Sequence, residues 1–335
     1  MTNNFPEKSI FISPSTNDEL FYQREENREF LLSEKGETFE FSEGFPDLTF
    51  PKKLDEKAVN IRQIYNDASD IYDQFLHQTF KTHNEDETTS RQYIIDKLKQ
   101  KSDSKVLEIA CGTGRDSELI AQRLGENSQF VMVDLTPSMM KRCQLRLSTT
   151  NIEKIFCIAN ACYLPFPDKY FDAVYCFAAV GVFPDIKKSL AEMTRVTKTG
   201  GKIVFSDESM PLWLRDTYFS KVLANTNPKV LWEVPLKEIP VSARNVTVQW
   251  IIGGIFYLID FEVGEGEPVG NFDYPVEGPV RGGTLRTRYE GRLEGVTKEA
   301  KELVYKAAKA KGLTIHQWLD SVVKEAANKD LNLEQ

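Results

Sequence analysis

From residue 105 onward, short apolar runs alternate with amphipathic stretches of ten or more residues, and this alternation restricts the fold more than any other feature. KVLEIA (105–110) reads as a strand and DSELIAQRLG (116–125) as a helix ended by Gly125. SQFVMVDL (128–135) is a second strand, SMMKRCQLRL (138–147) a helix, and IEKIFCIAN (152–160) and FDAVYCFAAV (171–180) two further strands. IKKSLAEMTRVTK (186–198) reads as a helix stopped by Gly200 and Gly201, followed by the strand KIVFSDE (202–208). Strands that alternate with helices pair in parallel through right-handed crossovers and bury both faces of the sheet. VTVQWIIGGIFYLIDFEV (246–263) adds two strands about Gly253 and Gly254 as an antiparallel edge. The expected fold class is a doubly wound α/β sheet of seven strands.

The flanks read differently. Residues 56–100 look helical, with Ile61, Ile64, Tyr65, Ala68, Ile71, Tyr72 and Phe75 recurring every three or four positions. We therefore divide the chain into a small β-rich segment (1–55), a central domain (56–263) and a C-terminal extension (264–335). A hydrophobic share of 41% supports a large core, and a net charge of -8 argues against a wide nucleic-acid footprint. The longest apolar run, AVYCFAAVGVF (173–183), is too short to span a membrane, and MTNNFPEKSI lacks a signal peptide's apolar core. A cytoplasmic protein with no membrane partner is the expectation. Five cysteines lie between 111 and 176 without a CxxC pair, and His77, His83 and His316 have no metal-ligand spacing, so no metal is expected.

In open α/β sheets, ligands bind beyond the carboxyl ends of the strands, where strand order reverses. The first strand-to-helix turn there is VLEIACGTGRDS (106–117), in which Gly112 and Gly114 permit close backbone approach. About twenty residues on, the second strand ends at Asp134, whose carboxylate can accept hydrogen bonds from both hydroxyls of a ribose. A dinucleotide fingerprint would need a third glycine, and the order here is Ala110-x-Gly112-x-Gly114-x-x-Ser117.

VLEIACGTGRDS, VDLTPSMMKRC, NACYLPFPDKYFDAVYC and EMTRVTKTGGKIVFSDE, in that order over about 61–210, resemble class I S-adenosylmethionine-dependent methyltransferases. The similarity is to the type 11 subgroup that includes quinone-biosynthesis enzymes. It implies a Rossmann-like sheet and S-adenosyl-L-methionine as cofactor. It implies that Glu108, Ala110, Cys111, Gly112 and Gly114 shape the loop against the methionine part. Asp134 would take the ribose hydroxyls and Leu135 the adenine face. Asn160, beside Ala161, stands where the family usually has an aspartate reaching the adenine amino group. Phe177 would line the methyl-transfer site.

A sulfonium methyl is already activated, so the protein chiefly aligns an acceptor with it, adding a base where a proton must leave. The resemblance places Tyr65 and Tyr72 on a helix closing over the cofactor; packing as core tyrosines is the alternative. Asp73, Asp207 and Glu208 are candidate acids or bases near the sheet's carboxyl edge, although strand-end carboxylates more often serve a solvated or helix-capping role. His77 and His83 either approach the site from the lid helix or sit at the surface, and the surface role is the favoured reading. Trp213, Arg215, Trp250, Arg281, Arg286, Arg288 and Tyr289 either hold an anionic or planar acceptor or form ordinary surface. LLSEKGETFEFSEGFPDLTFP resembles a small zinc-ribbon-like domain, yet Ser13, Ser15 and Ser33 lie where thiolates would be expected. It reads as a metal-free remnant covering one mouth of the site or making a subunit contact.

TRYEGRLEGVTKEAKELVYKAAKAKGLTIHQWLDSVVKEA reads as strand, helix, Gly312 stop, then a second helix capped by Thr314. It resembles ribbon-helix-helix modules. Because Arg286, Arg288 and Arg292 are interleaved with Glu290 and Glu294, a packing element or a homodimer contact is favoured over DNA binding. The expected activity is methyl transfer to a small-molecule acceptor at oxygen, nitrogen or carbon. The alternatives are a non-catalytic cofactor-binding partner protein and a DNA-binding regulator acting through the C-terminal segment.

Overall fold

The computed structural model describes residues 8–25, 28–275, 284–290 and 296–331. The chain forms two compact units, Met1–Pro268 and Val269–Gln335.

The first unit opens with an antiparallel meander of β1 (Lys8–Ile12), β2 (Glu19–Glu25), β3 (Arg28–Ser33), β4 (Thr38–Ser42) and β5 (Phe45–Pro46) in sequential order. Its turns are tied together where the resemblance would place thiolates. Ser13 Oγ and Ser15 Oγ donate to the Glu37 carboxylate at 2.5 and 2.8 Å, and Glu37 N donates to Ser33 Oγ at 3.0 Å. Phe11, Leu20, Leu31 and Phe39 of this sheet join the main core, so the meander has no separate hydrophobic centre.

Three helices follow: α1 (Glu56–Ala68), α2 (Tyr72–Thr82) and α3 (Glu87–Asp96). Asp55 and Asp86 cap α1 and α3 by accepting from Ala58 N and Thr89 N. The central sheet contains β6 (Lys105–Ile109), β7 (Gln129–Asp134), β8 (Glu153–Ile158), β9 (Phe171–Phe177), β10 (Thr197–Glu208), β11 (Ala243–Ile251) and β12 (Phe256–Val263). Its order is β11-β12-β10-β9-β6-β7-β8; the strands from β8 to β10 run parallel and β12 and β11 close the edge antiparallel. The doubly wound seven-stranded expectation holds, and strand order reverses between β6 and β9.

Adjacent residues on these strands bury opposite faces. Leu107, Val131 and Val174 join Leu190 and Met193 of α6 (Ile186–Val196) and the N-terminal meander. Val106, Phe130 and Ala173 join Ile94, Ile120 and Cys143, contributed by α3, α4 (Arg115–Ala121) and α5 (Pro137–Arg146). A short α7 (Tyr218–Thr226) packs its Leu223 against Phe80, Val230 and Phe256.

Two glycine assignments change. Helix α4 ends at Ala121, before Gly125. Gly125 instead donates to Ser102 O at 2.8 Å, and a Cβ there would lie 2.9 Å from that oxygen, so the glycine serves backbone contact. Likewise α6 ends at Val196, and Gly200 and Gly201 belong to β10. They sit in a register shift between Thr197 and Lys202, where Gly200 takes φ +81°.

In the second unit, α9 (Lys298–Ala310) and α10 (Ile315–Asp330) follow α8 (Leu285–Glu290). Thr314 and Gln317 form a reciprocal capping box, and Gly312 has φ +67°. The expected strand is corrected: Leu285–Glu290 is helical. Its composition suits a helix, and Arg286 N donates to Phe272 O while its guanidinium meets Asp273 at 2.8 Å. Residues 291–295, also part of that expectation, lie outside the described residues, as does Arg281 of the acceptor-binding candidates.

Candidate active site

A cavity of about 820 Å³, its mouth included, lies beyond the carboxyl ends of the parallel strands. Its floor includes Ala110, Gly112, Asp134, Leu135, Asn160, Ala161 and Phe177; its roof is Ala58, Ile61 and Tyr65 of α1 with Tyr72 of α2. The three α1 residues recur at helical spacing and so share one face.

The loop after β6 turns through three left-handed residues: Ala110 at φ +56°, Gly112 at +54° and Gly114 at +82°. Glycine adopts this conformation freely, whereas the Cβ of Ala110 costs roughly 1–2 kcal/mol there. The first glycine position is thus demanding in backbone angle as well as in space. A Cβ at Gly112 would meet no protein atom within 4 Å, leaving the space before it open to a ligand. A Cβ at Gly114 would lie 2.8 Å from Cys143 Sγ and 3.0 Å from its Cα, so this glycine lets α4 approach α5.

Asp134 holds the loop in place. One carboxylate oxygen accepts from Gly112 N at 2.9 Å and the other from Thr136 N at 2.8 Å. Burial pushes its pKa up, and the backbone donors pull it back. Asn160 Oδ1 accepts from Cys162 N at 3.0 Å, and Nδ2 donates to the Phe50 carbonyl at 3.1 Å. An aspartate could not make that donation, so the amide joins the cavity wall to the segment leading from the N-terminal meander.

Glu108, Cys111 and Gly114 do not line the cavity. Glu108 is 3% exposed and accepts from Ser117 Oγ at 2.5 Å; burial raises its pKa well above the carboxylate range. Cys111 packs its sulfur 4.0 Å from that of Met140. These residues support the loop from behind.

Tyr65 and Tyr72 meet edge to face, with ring centroids 5.7 Å apart. Burial, with the charges of Asp134, Asp207 and Glu208, pushes Tyr65 up to about 12. Burial, then the neighbouring Tyr65, raises Tyr72 as well. Both phenols stay protonated near neutrality, which leaves each with a proton to donate to a ligand. Phe177 stacks on Phe256 at 5.5 Å and carries the Arg91 guanidinium 5.2 Å over its face.

Other candidates fall elsewhere. Asp73 lies outside the cavity wall, accepting from Thr113 Oγ1 at 2.6 Å and from Arg146 Nη2 at 2.5 Å. Asp207 and Glu208 line a separate hollow with Trp232 and Tyr257. Asp207 accepts from Gly181 N and Glu208 N at 2.5 and 2.7 Å, and burial raises it to about 6. His83 packs on Phe219, Trp213 meets Trp250, and Arg215 donates to the carbonyls of Met210 and Trp232. None of these side chains lines the cavity, nor does His77. Arg286 and the 90% exposed Tyr289 belong to the second unit.

Sequence reasoning missed Val182, Phe183 and Pro184, which complete the wall; the apolar run 173–183 reads as core along its whole length. It also missed Ala178, which lines the cavity at φ +58°. No local signal distinguishes that alanine. Thr113, Arg91 and Arg146 were missed because their partners are distant in the chain.

The reversal between β6 and β9, the glycine loop and Asp134 at the next strand end form one ligand crevice of an open α/β sheet, and residues 106–201 match a family described as "Methyltransferase domain". The chain is 29% identical over 170 residues to a ubiquinone/menaquinone biosynthesis C-methyltransferase UbiE of Bordetella parapertussis, covering 50% of this chain and 62% of that protein. It is 27% identical over 168 residues to a demethylmenaquinone methyltransferase of Anoxybacillus flavithermus, covering 49% and 69%. The chain thus spans less than two thirds of the first of these relatives. A solved Haemonchus contortus phosphoethanolamine N-methyltransferase 2 with S-adenosyl-L-methionine is 14% identical, with coverage of 73% and 71% and a TM-score of 0.48. No helix among the described residues is long and apolar enough to cross a membrane.

Proposed function

We propose that this chain is a methyltransferase that moves a methyl group from S-adenosyl-L-methionine to a small planar acceptor, with a hydroquinone-type ring as the favoured class. The observation carrying this reading is that one cavity joins the glycine loop, Asp134 and Asn160 to the lid tyrosines. The open space before Gly112 and the acceptor oxygens of Asp134 fit the cofactor's methionine and ribose parts. Leu135, Asn160 and Ala161 would flank its adenine. When bound, the cofactor supplies an electrophilic methyl group ready for in-line displacement.

The protein's own contribution is placement and exclusion of water. Ile61, Tyr65, Tyr72, Val182, Phe183 and Pro184 make an apolar wall that would pack against an uncharged ring. The phenols of Tyr65 and Tyr72 would donate hydrogen bonds to ring oxygens. Their raised pKa keeps both protonated at neutral pH and so unavailable as bases. The acceptor would lose its hydroxyl proton to water before the ring carbon takes the methyl, and after S-adenosylhomocysteine is released as leaving group the methylated carbon would lose its own proton to water. The relatives named above carry quinone-biosynthesis names, which supports carbon methylation of such a ring. Asp73 leaves the set of acid–base candidates, because its carboxylate is engaged outside the wall.

Calorimetry with S-adenosylhomocysteine tests the cofactor site. Asp134→Ala should weaken binding about 100-fold, since it removes both the ribose acceptor and the anchor of Gly112. Unchanged affinity in that variant, or no binding by the wild type, would overturn the reading. Incubation with methyl-labelled cofactor and short-tailed hydroquinones should then label ring carbon, while exclusive labelling of amines would redirect the acceptor class.

A further inference from the structure

The turn joining α1 to α2 lies along one ridge of α5. Ser138, Arg142 and Arg146 are spaced four residues apart and therefore share a face. Ser138 Oγ donates to Asn66 Oδ1 at 2.8 Å, Arg142 pairs with Asp70, and Arg146 pairs with Asp73 at 2.5 Å. The last rung differs from the other two because it also reaches the cofactor loop. Thr113 Oγ1 donates to the other Asp73 oxygen at 2.6 Å, and Arg146 Nε donates to the Thr113 carbonyl at 2.9 Å. Thr113 is 3% exposed and stands between Gly112, which lines the cavity, and Gly114, which caps α4. Asp73 itself directly follows Tyr72 of the roof.

We propose that Asp73 is a positioning residue that couples closure of the α1–α2 lid to the conformation of the cofactor loop through Thr113 and Arg146. A ligand that orders Gly112 thereby orders Thr113, and the closed ring of three hydrogen bonds passes that order to Tyr72. Conversely, a lid lifted from α5 releases Thr113 and loosens the loop. Coupling of this kind is reciprocal: what the ligand does for the lid, the lid does for the ligand. The clasp is only partly shielded, with the Asp73 and Arg146 side chains 31% and 28% exposed, so the lid can be released by salt and by thermal fluctuation.

The proposal rests on the cofactor reading of the cavity. Its test is hydrogen–deuterium exchange of the full chain, with and without S-adenosylhomocysteine, for wild type, Asp73→Asn and Thr113→Val. Without ligand, both variants should exchange amides of 66–82 about threefold faster than wild type. With ligand, wild type should slow exchange both in 66–82 and in 106–117. Asp73→Asn should bind about tenfold more weakly and, at saturation, protect 106–117 while leaving 66–82 unprotected. A variant with wild-type affinity and full protection of 66–82 overturns the coupling. So does weaker binding with both segments still protected, which marks a merely structural role. If Asp73→Asn fails to fold, Thr113→Val decides by the same criteria. Absence of ligand binding by wild type would instead overturn the cofactor reading, and unchanged lid exchange in the ligand-free variants would overturn the clasp by itself.

Discussion

Beneath the cavity, Leu107, Val131 and Val174 are fully buried between the sheet and the layer made by α6 and the N-terminal meander; above it, α1 buries only Ala58 and leaves Ile64 58% exposed. The strand layer below also holds the buried carboxyls Glu108, behind the loop, Asp134, in the cavity floor, and Asp207, beside a separate hollow, each raised by burial. The roof is held instead by polar contacts along α5, including Asp70–Arg142 and Asp73–Arg146. A floor made by close packing keeps its geometry to tenths of an ångström, whereas a roof held by partly solvated pairs can open. The comparison teaches that one site is built from two kinds of stability, one sensitive to volume and pH and the other to salt.

Truncation should separate them most. Leu107→Ala should cost about 2–5 kcal/mol through lost burial and a residual cavity, whereas Ile64→Ala should stay within about 0.5 kcal/mol. Urea unfolding of both variants measures the gap, and equal losses would break the comparison.

The pH response comes next. Asp207 is raised from its ordinary 3.8 to about 6, so between those values the folded state holds a proton that the unfolded chain has released. The resulting stability is complete below about pH 4 and is lost as pH rises through about 6, roughly 3 kcal/mol at most. Asp207→Asn cannot ionise, and its stability relative to wild type should climb over that window. A difference that stays flat with pH would show that Asp207 titrates normally.

Salt should act on the roof. Moving from about 0.05 to about 1 M sodium chloride shortens the screening length to about 3 Å and should speed amide exchange in 66–82 a few-fold. Amides of β6 and β7 should be unaffected, and parallel acceleration of both regions would argue against a separately held lid. The smallest expected effect concerns the loop between them. Ala110→Gly relieves the left-handed alanine but adds unfolded-state entropy, for a net gain of about 0.5 kcal/mol. Thermal unfolding measures it, and a lowered midpoint would mean that the methyl group packs more usefully than its strain costs.

Much of the floor was legible in the chain's own pattern. The alternation from 105 to 208 announced the parallel sheet, and Gly112 with Asp134 marked the site, because both signals lie at element ends along a regular register. The roof was legible only in part. The spacing of Ile61 and Tyr65 announced a helix with one apolar face, yet nothing local showed that Asp73 would turn away from the cavity toward Thr113 and Arg146. Gly125 and Gly200 misled for the same reason: a glycine in sequence shows that backbone freedom is available, and only neighbouring atoms show what it is used for.

The sequence by itself determined the α/β class, the crevice at the first strand-to-helix turn and the glycine–aspartate pair within it. Those follow from periodicity and from backbone demands that each residue carries with it. Only the tertiary structure decided that Ala110 occupies a left-handed position, that Asn160 directs its amide donor to Phe50 and that Asp73 clasps the lid to the loop. Hydrogen bonds between residues dozens of positions apart depend on which surfaces the folded chain brings together, and local pattern does not encode that meeting.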